Sequence, residues 1–244
     1  MAALPIYKQQ VLFHFISIFT HILDADGLRD YVILHSKYNV VHEGMQSKDR
    51  YFIPPNQSIE DIPTDIQHLF ICRIEEYREE KLILSTNSFH QLISITIGNG
   101  CFKNVCVFVL DGLESLESVK IGGKCFRISD DERDDGVCQI TNCPNLRQLE
   151  IGDYCFQHVR EFVIDGLDNL ESVQIGGSCF RISDDERDDG VCRITNCPNL
   201  RQLEIGGYSF YYFNSFELSN LNSIQSIKFG WRCFKYADCS LKGE

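Results

Sequence analysis

The chain has 244 residues, enough for one or two domains with a buried core. Hydrophobic residues make up 43% and charged residues 24%, and the 17 Gly and 6 Pro are too few for a collagen-like or linker-like chain. The formal net charge of −12 excludes a general attraction to nucleic acid or anionic lipid and makes a basic partner easier to accommodate. We therefore expect a folded acidic protein.

The longest apolar run lies near the start of the chain, at Val11–Leu23. It is too short to span a bilayer, so no membrane span is predicted. One interpretation is a secretory signal peptide, because Lys8 precedes the run, but aspartates follow where a cleavage site has small neutral residues. The other interpretation is an amphipathic helix that begins at Pro5 and ends at Gly27. We expect the helix, as part of an N-terminal α/β capping region over residues 1–61.

Internal repeats dominate the chain after residue 90. Residues 117–152 recur at 171–206 with three differences, which indicates a tandem duplication. A six-residue motif, I-G-x-x-C-F, starts with two variants at Ile97, Ile121, Ile151, Ile175, Ile205 and Phe229. The starts are alternately 24 and 30 residues apart, and the extra residues fall in Ser129–Gly136 and Ser183–Gly190. A period in the twenties with insertions at one position is typical of a solenoid.

Apolar residues alternate with polar ones around each motif. Leu149 and Ile151 are two positions apart and therefore point to one face of a strand, and a second strand follows the motif, as at Phe162 and Ile164. We expect the motif phenylalanines to stack as core filling and the glycine after each first strand to permit a tight corner. The prediction is a mainly β solenoid with little helix over residues 62–244.

These residues resemble a known family. The L-x-x-L-x-L strands, the Cys or Leu three residues after a strand, as at Cys143 and Leu167, and the 24-residue module are similar to leucine-rich repeats. The motif is similar to the I-G-x-x-A-F signature of the BspA-like branch, found on bacterial and protist surfaces, with Cys in place of Ala. The resemblance covers about residues 62–243. It implies a leucine-rich-repeat solenoid that binds protein and supplies no catalytic residues; the alternative is a secreted or cell-surface adhesin.

Most of the twelve cysteines recur at fixed positions of the repeat, five of them within the motif. Such recurrence predicts a small buried side chain on every turn. Turns stacked about 4.8 Å apart separate equivalent Cβ atoms by more than the roughly 3.8 Å of a disulfide. No further pair completes a zinc site around Cys138 and Cys143, so no metal is predicted. We expect reduced thiols and a cytoplasmic location, with secretion as the alternative.

Two identical acidic segments, Asp130–Asp135 and Asp184–Asp189, each carry five acidic residues and one arginine. We expect solvated loops on one edge, about 10 Å apart, whose fields add and attract a basic protein. A calcium loop is an alternative that fits poorly, because Arg133 stands at a ligand position, and phosphorylation of Ser129 and Ser183 is another. The candidate partner-binding residues here are Asp131, Glu132, Asp134, Asp185, Glu186 and Asp188.

The polar residues of the first strands form a second candidate surface. If the apolar positions point inward, the polar ones make a flat outward face, where repeat scaffolds bind extended partners. The candidate residues are Lys120, Gln148, Glu150, Gln174, Gln202, Glu204 and Lys228. The alternative is that Lys120 with Glu150, and Glu204 with Lys228, are ordinary ion pairs between neighbouring strands. Val107, Val109 and Val163 of the second strands are also expected to face outward.

Catalysis is not predicted. The chain has no G-x-x-x-x-G-K-[ST], H-E-x-x-H or G-x-S-x-G motif, so we assign no catalytic residue and no cofactor and expect no enzyme activity.

The C-terminal end of the repeats is expected to form one more strand, because Cys239–Leu241 can complete a last second strand. The last turn is then an exposed edge open to end-to-end self-association, unless the short tail that follows is sufficient or the chain is truncated.

Overall fold

A computed structural model describes residues 50–53, 62–71, 80–127, 136–182 and 190–242. Its contacts divide the chain into two units, Met1–Ser47 and Lys48–Glu244, and all that follows concerns the second. The helix predicted from Pro5 to Gly27 and both acidic segments lie outside the described residues.

The described residues form fifteen strands and no helix, which confirms the predicted mainly β architecture. The strands are β1 (Arg50–Ile53), β2 (His68–Ile71), β3 (Lys81–Ser85), β4 (Ser94–Ile97), β5 (Val107–Asp111), β6 (Ser118–Ile121), β7 (Val137–Thr141), β8 (Gln148–Ile151), β9 (Glu161–Asp165), β10 (Ser172–Ile175), β11 (Val191–Thr195), β12 (Gln202–Ile205), β13 (Ser215–Ser219), β14 (Ser226–Phe229) and β15 (Asp238–Lys242).

From β2 onwards, consecutive strands alternate between two parallel sheets, while β1 and β2 both belong to the first of them. Sheet A has the order β1-β2-β4-β6-β8-β10-β12-β14, and sheet B has the order β3-β5-β7-β9-β11-β13-β15. Equivalent repeat positions pair directly, so that Ile151 of β8 is in register with Ile121 of β6 and Ile175 of β10. Each turn of the chain, called a rung below, therefore adds one strand to each sheet of a solenoid. The predicted last strand is confirmed as β15.

The core lies between the two sheets, because each strand alternates buried and more exposed residues. In β10, Val173 and Ile175 are buried and the intervening Gln174 is exposed. The motif phenylalanines stack from rung to rung as expected: the ring centroid of Phe156 lies 4.6 Å from that of Phe126 and 4.8 Å from that of Phe180, with interplanar angles of 4°. Aromatic pairs in such contact contribute about 0.5–1.5 kcal/mol beyond their burial.

These phenylalanines hold an unusual backbone conformation. Phe156 has a φ of 54°, in the left-handed region, and the other motif phenylalanines share this sign. A left-handed non-glycine residue costs about 1–2 kcal/mol. Burial of an aromatic ring together with two stacking contacts offsets that cost. The repeated core therefore holds a backbone conformation that glycine alone adopts easily.

The glycine after each first strand has a different role from the one expected. The φ of Gly152 is not in the left-handed region, so no special corner conformation requires glycine there. A Cβ atom at Gly152 would instead lie 2.6 Å from the backbone nitrogen of Gly123 on the preceding rung. The chain turns after each first strand as expected, but the reason for glycine there is corrected, because these glycines let neighbouring rungs approach closely.

Candidate protein-binding surface

The outward face of sheet A carries the predicted strand residues in two straight rows. Register places five of them in one row across neighbouring strands, Lys120, Glu150, Gln174, Glu204 and Lys228. The second row contains Gln148 and Gln202, separated by Ser172. All seven side chains lie at least partly in solvent. The structure therefore brings every predicted residue of this face together.

Ion pairs between neighbouring strands hold four of the seven side chains. The Lys120 ammonium lies 2.6 Å from Glu150 Oε2, and the Lys228 ammonium lies 3.7 Å from Glu204 Oε2. The structure thus contains the ion pairs that the sequence offered as the alternative. Their side chains remain 43–68% exposed, and exposed pairs of this kind contribute about 0–1 kcal/mol to stability. A partner can therefore displace them at little cost.

The three glutamines of the face, unlike its charged residues, form no polar side-chain contact with a neighbouring strand among the residues that the structure describes. Among the described residues, no hydrogen bond joins the side-chain amides of Gln148, Gln174 or Gln202 to another group, and all three are exposed. Each amide offers two donors and an acceptor. They lie on three consecutive strands of sheet A, β8, β10 and β12. This central region is therefore the part of the face with the most unused hydrogen-bonding capacity.

The face continues further towards the N-terminus than the sequence analysis predicted. Phe70 of β2 and Thr96 of β4 extend the row of Lys120, and His68 and Ser94 extend the row of Gln148. The His68 ring nitrogen Nδ1 and the Ser94 hydroxyl oxygen are 2.7 Å apart. The alternation that identifies the other members was available here too, since Phe70 lies between the buried Leu69 and Ile71.

The outward face of sheet B is more apolar at one end. Ile83 is 54% exposed and is in register with the half-buried Val109, and Gln139 separates Val109 from the half-buried Val163 in the same row. The two valines are partly exposed, as expected. Further along this row, the Arg193 guanidinium lies 3.4 Å from Glu161 and 4.0 Å from Glu217. Sheet B thus offers a smaller apolar patch beside an ion-paired region.

The cysteines line the interior as expected. Ten cysteines among the described residues are free thiols, and nine of them are buried. Burial holds the pKa of the Cys138 and Cys192 thiols well above the ordinary value and raises the pKa of Cys143 to about 11. These thiols are therefore protonated at neutral pH, unlike reactive cysteines. The described residues contain no group of three or more side chains able to hold a metal ion.

The proposed self-association edge is formed by β14 and β15, the last strands of the two sheets. In β14, Ile227 is 42% exposed and Phe229 is 46% exposed. End-to-end association through this rung stays a prediction. The same holds for the acidic candidates Asp131, Glu132, Asp134, Asp185, Glu186 and Asp188, which lie outside the described residues.

Comparison with known proteins gives no relative: no family model, curated protein or solved structure matches the chain. In the part of the chain that the structure describes, no helix has the length and apolar character needed to cross a membrane. The assignment of this molecule therefore rests on its architecture, a repeat solenoid of parallel strands.

Proposed function

We propose that this chain is a non-catalytic scaffold of the leucine-rich-repeat type, BspA-like branch, that binds a protein on the outward face of sheet A. The observation that carries the proposal is the unbroken register of that face over eight strands. With strands about 4.8 Å apart, the face is about 34 Å long. A long, straight, polar surface is what repeat scaffolds use to hold extended partners.

The chemistry of the face favours a polar partner. The three glutamines support hydrogen bonds to a partner's backbone or side chains, and the ion pairs of Lys120 and Lys228 can be exchanged for pairs with the partner. The acidic segments, each with a net charge of −4, add long-range attraction for a basic protein. We therefore propose a basic protein that contacts the face through polar groups and is steered by the acidic segments.

The proposed location is the cytoplasm, with a surface adhesin as the alternative. The ten free thiols seen in the described part of the chain, nine of them buried, suit a reducing compartment better than an oxidising one. The test is made on protein purified from the organism that produces it. Mass spectrometry counts the free thiols, and N-terminal sequencing shows whether the N-terminus is intact. Twelve free thiols with an intact N-terminus support the cytoplasm, whereas disulfides or a cleaved N-terminus support the adhesin.

The binding face is tested by placing a photo-crosslinking amino acid at Gln174 or, as a control, at Ser215 on the outward face of sheet B. The proposal expects a defined protein adduct from position 174 and not from position 215. That protein is then purified, and its affinity is measured for a face variant, Q148K with Q174K and Q202K. The control variant adds the same charge to sheet B, as Q139K with S215K and S219K.

We expect the face variant to lose about tenfold or more in affinity for a basic protein, because it places three positive charges at the contact. The control variant should lose much less, since it changes the net charge equally but away from the face. Equal losses in both variants, or the same adducts from both crosslinking positions, would reject sheet A as the binding face.

A further inference from the structure

A second surface of different chemistry runs along one corner of the solenoid. It follows the end of each sheet A strand and consists of the third and fourth motif residues and the two residues after the motif. We call this surface the corner ridge. Its cationic side chains, all exposed, are Lys103, Lys124, Arg127, Arg181, Arg232 and Lys235.

We propose that the corner ridge binds an acidic polysaccharide, a linear chain of sugars carrying carboxylate or sulfate groups. This site goes beyond the proposed protein-binding face, since it lies on another surface and its ligand is negatively charged, whereas the proposed protein partner is positively charged. Cations that form no salt bridge among the described residues, together with the aromatic rings that lie between them, point to such a ligand.

The charge of the corner ridge is opposite to that of the whole chain. Among the described residues, none of its six cations lies in a salt bridge with a carboxylate, whereas Lys120, Arg147, Arg193 and Lys228 elsewhere all do. Asp153 is the one acidic residue at the described ridge positions, and its Oδ1 accepts the Gly177 amide at 2.7 Å. Six exposed cations on a chain of net charge −12 indicate an anionic ligand.

Aromatic side chains lie between these cations. Trp231 is 66% exposed and Tyr154 is 51% exposed, although large aromatic residues are usually buried. The Arg232 guanidinium lies 4.1 Å from the Trp231 ring centroid. Lys235 Nζ lies 3.1 Å from the Tyr211 hydroxyl oxygen and 3.0 Å from that of Tyr236. These contacts hold two cations in place before any ligand arrives, which lowers the entropic cost of binding.

The combination fits a charged sugar polymer. The C–H groups of a sugar ring pack against an aromatic face such as that of Trp231, tyrosine hydroxyls bond sugar hydroxyls, and guanidinium groups bind carboxylate or sulfate through paired hydrogen bonds. The ridge positions recur once per rung, about every 4.8 Å, so the cations extend over about 24 Å. The cations lie on four of the six rungs, and the rungs of Tyr154 and Tyr208 between them carry none. A flexible linear polymer with charges along its length can reach cations at these unequal spacings.

A nucleic acid is a less suitable ligand. It binds cations through its phosphates and stacks its bases on aromatic rings, but it offers the tyrosine hydroxyls few sugar hydroxyls. A polysaccharide carries neutral hydroxyl groups between its charges. An acidic protein lacks the sugar rings that would use Trp231. Both remain outcomes that the experiment distinguishes.

Binding is measured through the fluorescence of Trp231, the one tryptophan in the chain, so any change reports on the ridge itself. The probes are heparin, hyaluronan, poly-glutamate and poly-uridylate at about 50 mM salt, where phosphate or sulfate contacts are strong. The proposal expects saturable binding of heparin or hyaluronan that is tighter than binding of the other two polymers. Tighter binding of poly-glutamate or poly-uridylate, or binding of none of the four, overturns it.

Two matched variants locate the site. The ridge variant is K124Q with R181Q and K235Q, and the control variant, R147Q with R193Q and R201Q, removes the same charge from other exposed positions. We expect the ridge variant to lose about tenfold or more in polysaccharide affinity and to have a smaller salt dependence. The control should change by less than about threefold, because a distant charge acts only through screened fields. Equal losses overturn the proposal.

A third variant separates this inference from the proposed protein-binding function. Deleting Asp130–Asp135 and Asp184–Asp189 shortens each 30-residue interval to the 24 residues of the neighbouring repeats, so we expect it to fold. Removing this negative charge should strengthen polysaccharide binding and weaken binding of a basic protein partner. Weaker polysaccharide binding by a folded deletion variant would contradict the proposal that the ridge binds the polysaccharide. That result would do so whether or not the affinity for the protein partner also changes.

Discussion

The Cys155 thiol donates a hydrogen bond to the carbonyl oxygen of Gly122, one rung earlier, with sulfur and oxygen 3.0 Å apart. Cys179 makes the same bond to Gly152 at 3.0 Å. Ser209 stands at the equivalent position of a later rung, and its hydroxyl bonds the Gly176 carbonyl at 2.8 Å. The motif cysteine is therefore a polar link between rungs as well as a small buried side chain.

Replacing Cys155 tests this link. We expect Cys155→Ala to lower the free energy of unfolding by about 1 kcal/mol or more, because the hydrogen bond is lost and a small cavity remains. Cys155→Ser should cost less, since a hydroxyl replaces the donor, as Ser209 shows within this chain. Urea unfolding of both variants measures the difference. An equal or larger loss for serine would show that the sulfur acts through packing alone.

A pH prediction follows from the thiols at the end of the second strands. Burial raises the pKa of Cys143 to about 11 and that of Cys197 to about 12, from an ordinary value of 9.0. Below pH 9 these thiols are protonated in both states and favour neither. As pH rises from 9 towards 11 or 12, the unfolded chain releases protons that the folded chain retains, so the folded state loses stability.

The expected loss is about 1.4 kcal/mol per pH unit for each thiol within that window. Urea unfolding from pH 8 to pH 11 measures it, and the variant C143S with C197S is the control, because serine does not titrate there. The wild-type protein should lose stability faster than the control above pH 9. Parallel curves for the two proteins would contradict the assignment to these thiols.

Strand positions and rung stacking could be predicted because they depend on which residues recur. The alternation of Leu149 and Ile151 with polar neighbours identifies the buried face, and the fixed interval to Val173 and Ile175 sets the register. Backbone conformation is not visible in such a pattern. The sequence therefore predicts that Phe156 is buried. It does not predict the left-handed φ of Phe156 or the close approach of the neighbouring rung at Gly152, which only the structure shows.

The outward face of sheet A and the corner ridge also differ in how far the sequence predicts them. The outward face of sheet A was predictable, since alternation alone selects residues such as Gln174. The corner ridge was missed because its positions vary from rung to rung: Arg181 is followed at the same position by Tyr211 and then Lys235. Residue types that recur from rung to rung identify the strands, whereas no one residue type recurs on every rung of the ridge, which is distinguished by its exposed positive charge.

Phe156 provides a test of the stacked core. Its ring contacts Phe126 and Phe180 in nearly parallel stacks and also lies 5.9 Å from the Phe108 ring of sheet B. We expect Phe156→Ala to lower the free energy of unfolding by about 3–5 kcal/mol, as cavities of this size do. Phe156→Leu, which fills most of the space, is the matched control and should cost clearly less. Thermal and urea unfolding measure both, and a loss below about 1 kcal/mol for alanine would contradict a rigid stack.

Asp165 links two rungs at the end of its strand. Its Oδ1 accepts hydrogen bonds from the Thr195 hydroxyl at 2.6 Å and from the Asn196 amide at 2.7 Å. Asp111, in the corresponding place two rungs earlier, accepts the same pair of bonds from Thr141 and Asn142, each at 2.8 Å. One chain thus contains two copies of the same link, which allows the second to serve as a replicate of the first.

We expect Asp165→Ala and Asp111→Ala each to lower the free energy of unfolding by about 2 kcal/mol, since each removes two hydrogen bonds to a charged acceptor. Asp165→Asn should cost less, because its side-chain oxygen still accepts both bonds. Asp168→Ala, at an exposed neighbouring position, is the control and should change little. Urea unfolding measures all four variants.

The double variant D111A with D165A decides how independent the rungs are. The two aspartates share no partner and lie about 10 Å apart, two strand spacings, so their losses should add to within about 0.5 kcal/mol. A solenoid in which each rung contacts only its neighbours requires this result. A combined loss well below the sum would show that the first substitution already releases the second link, and the rungs between them would then unfold as one cooperative unit.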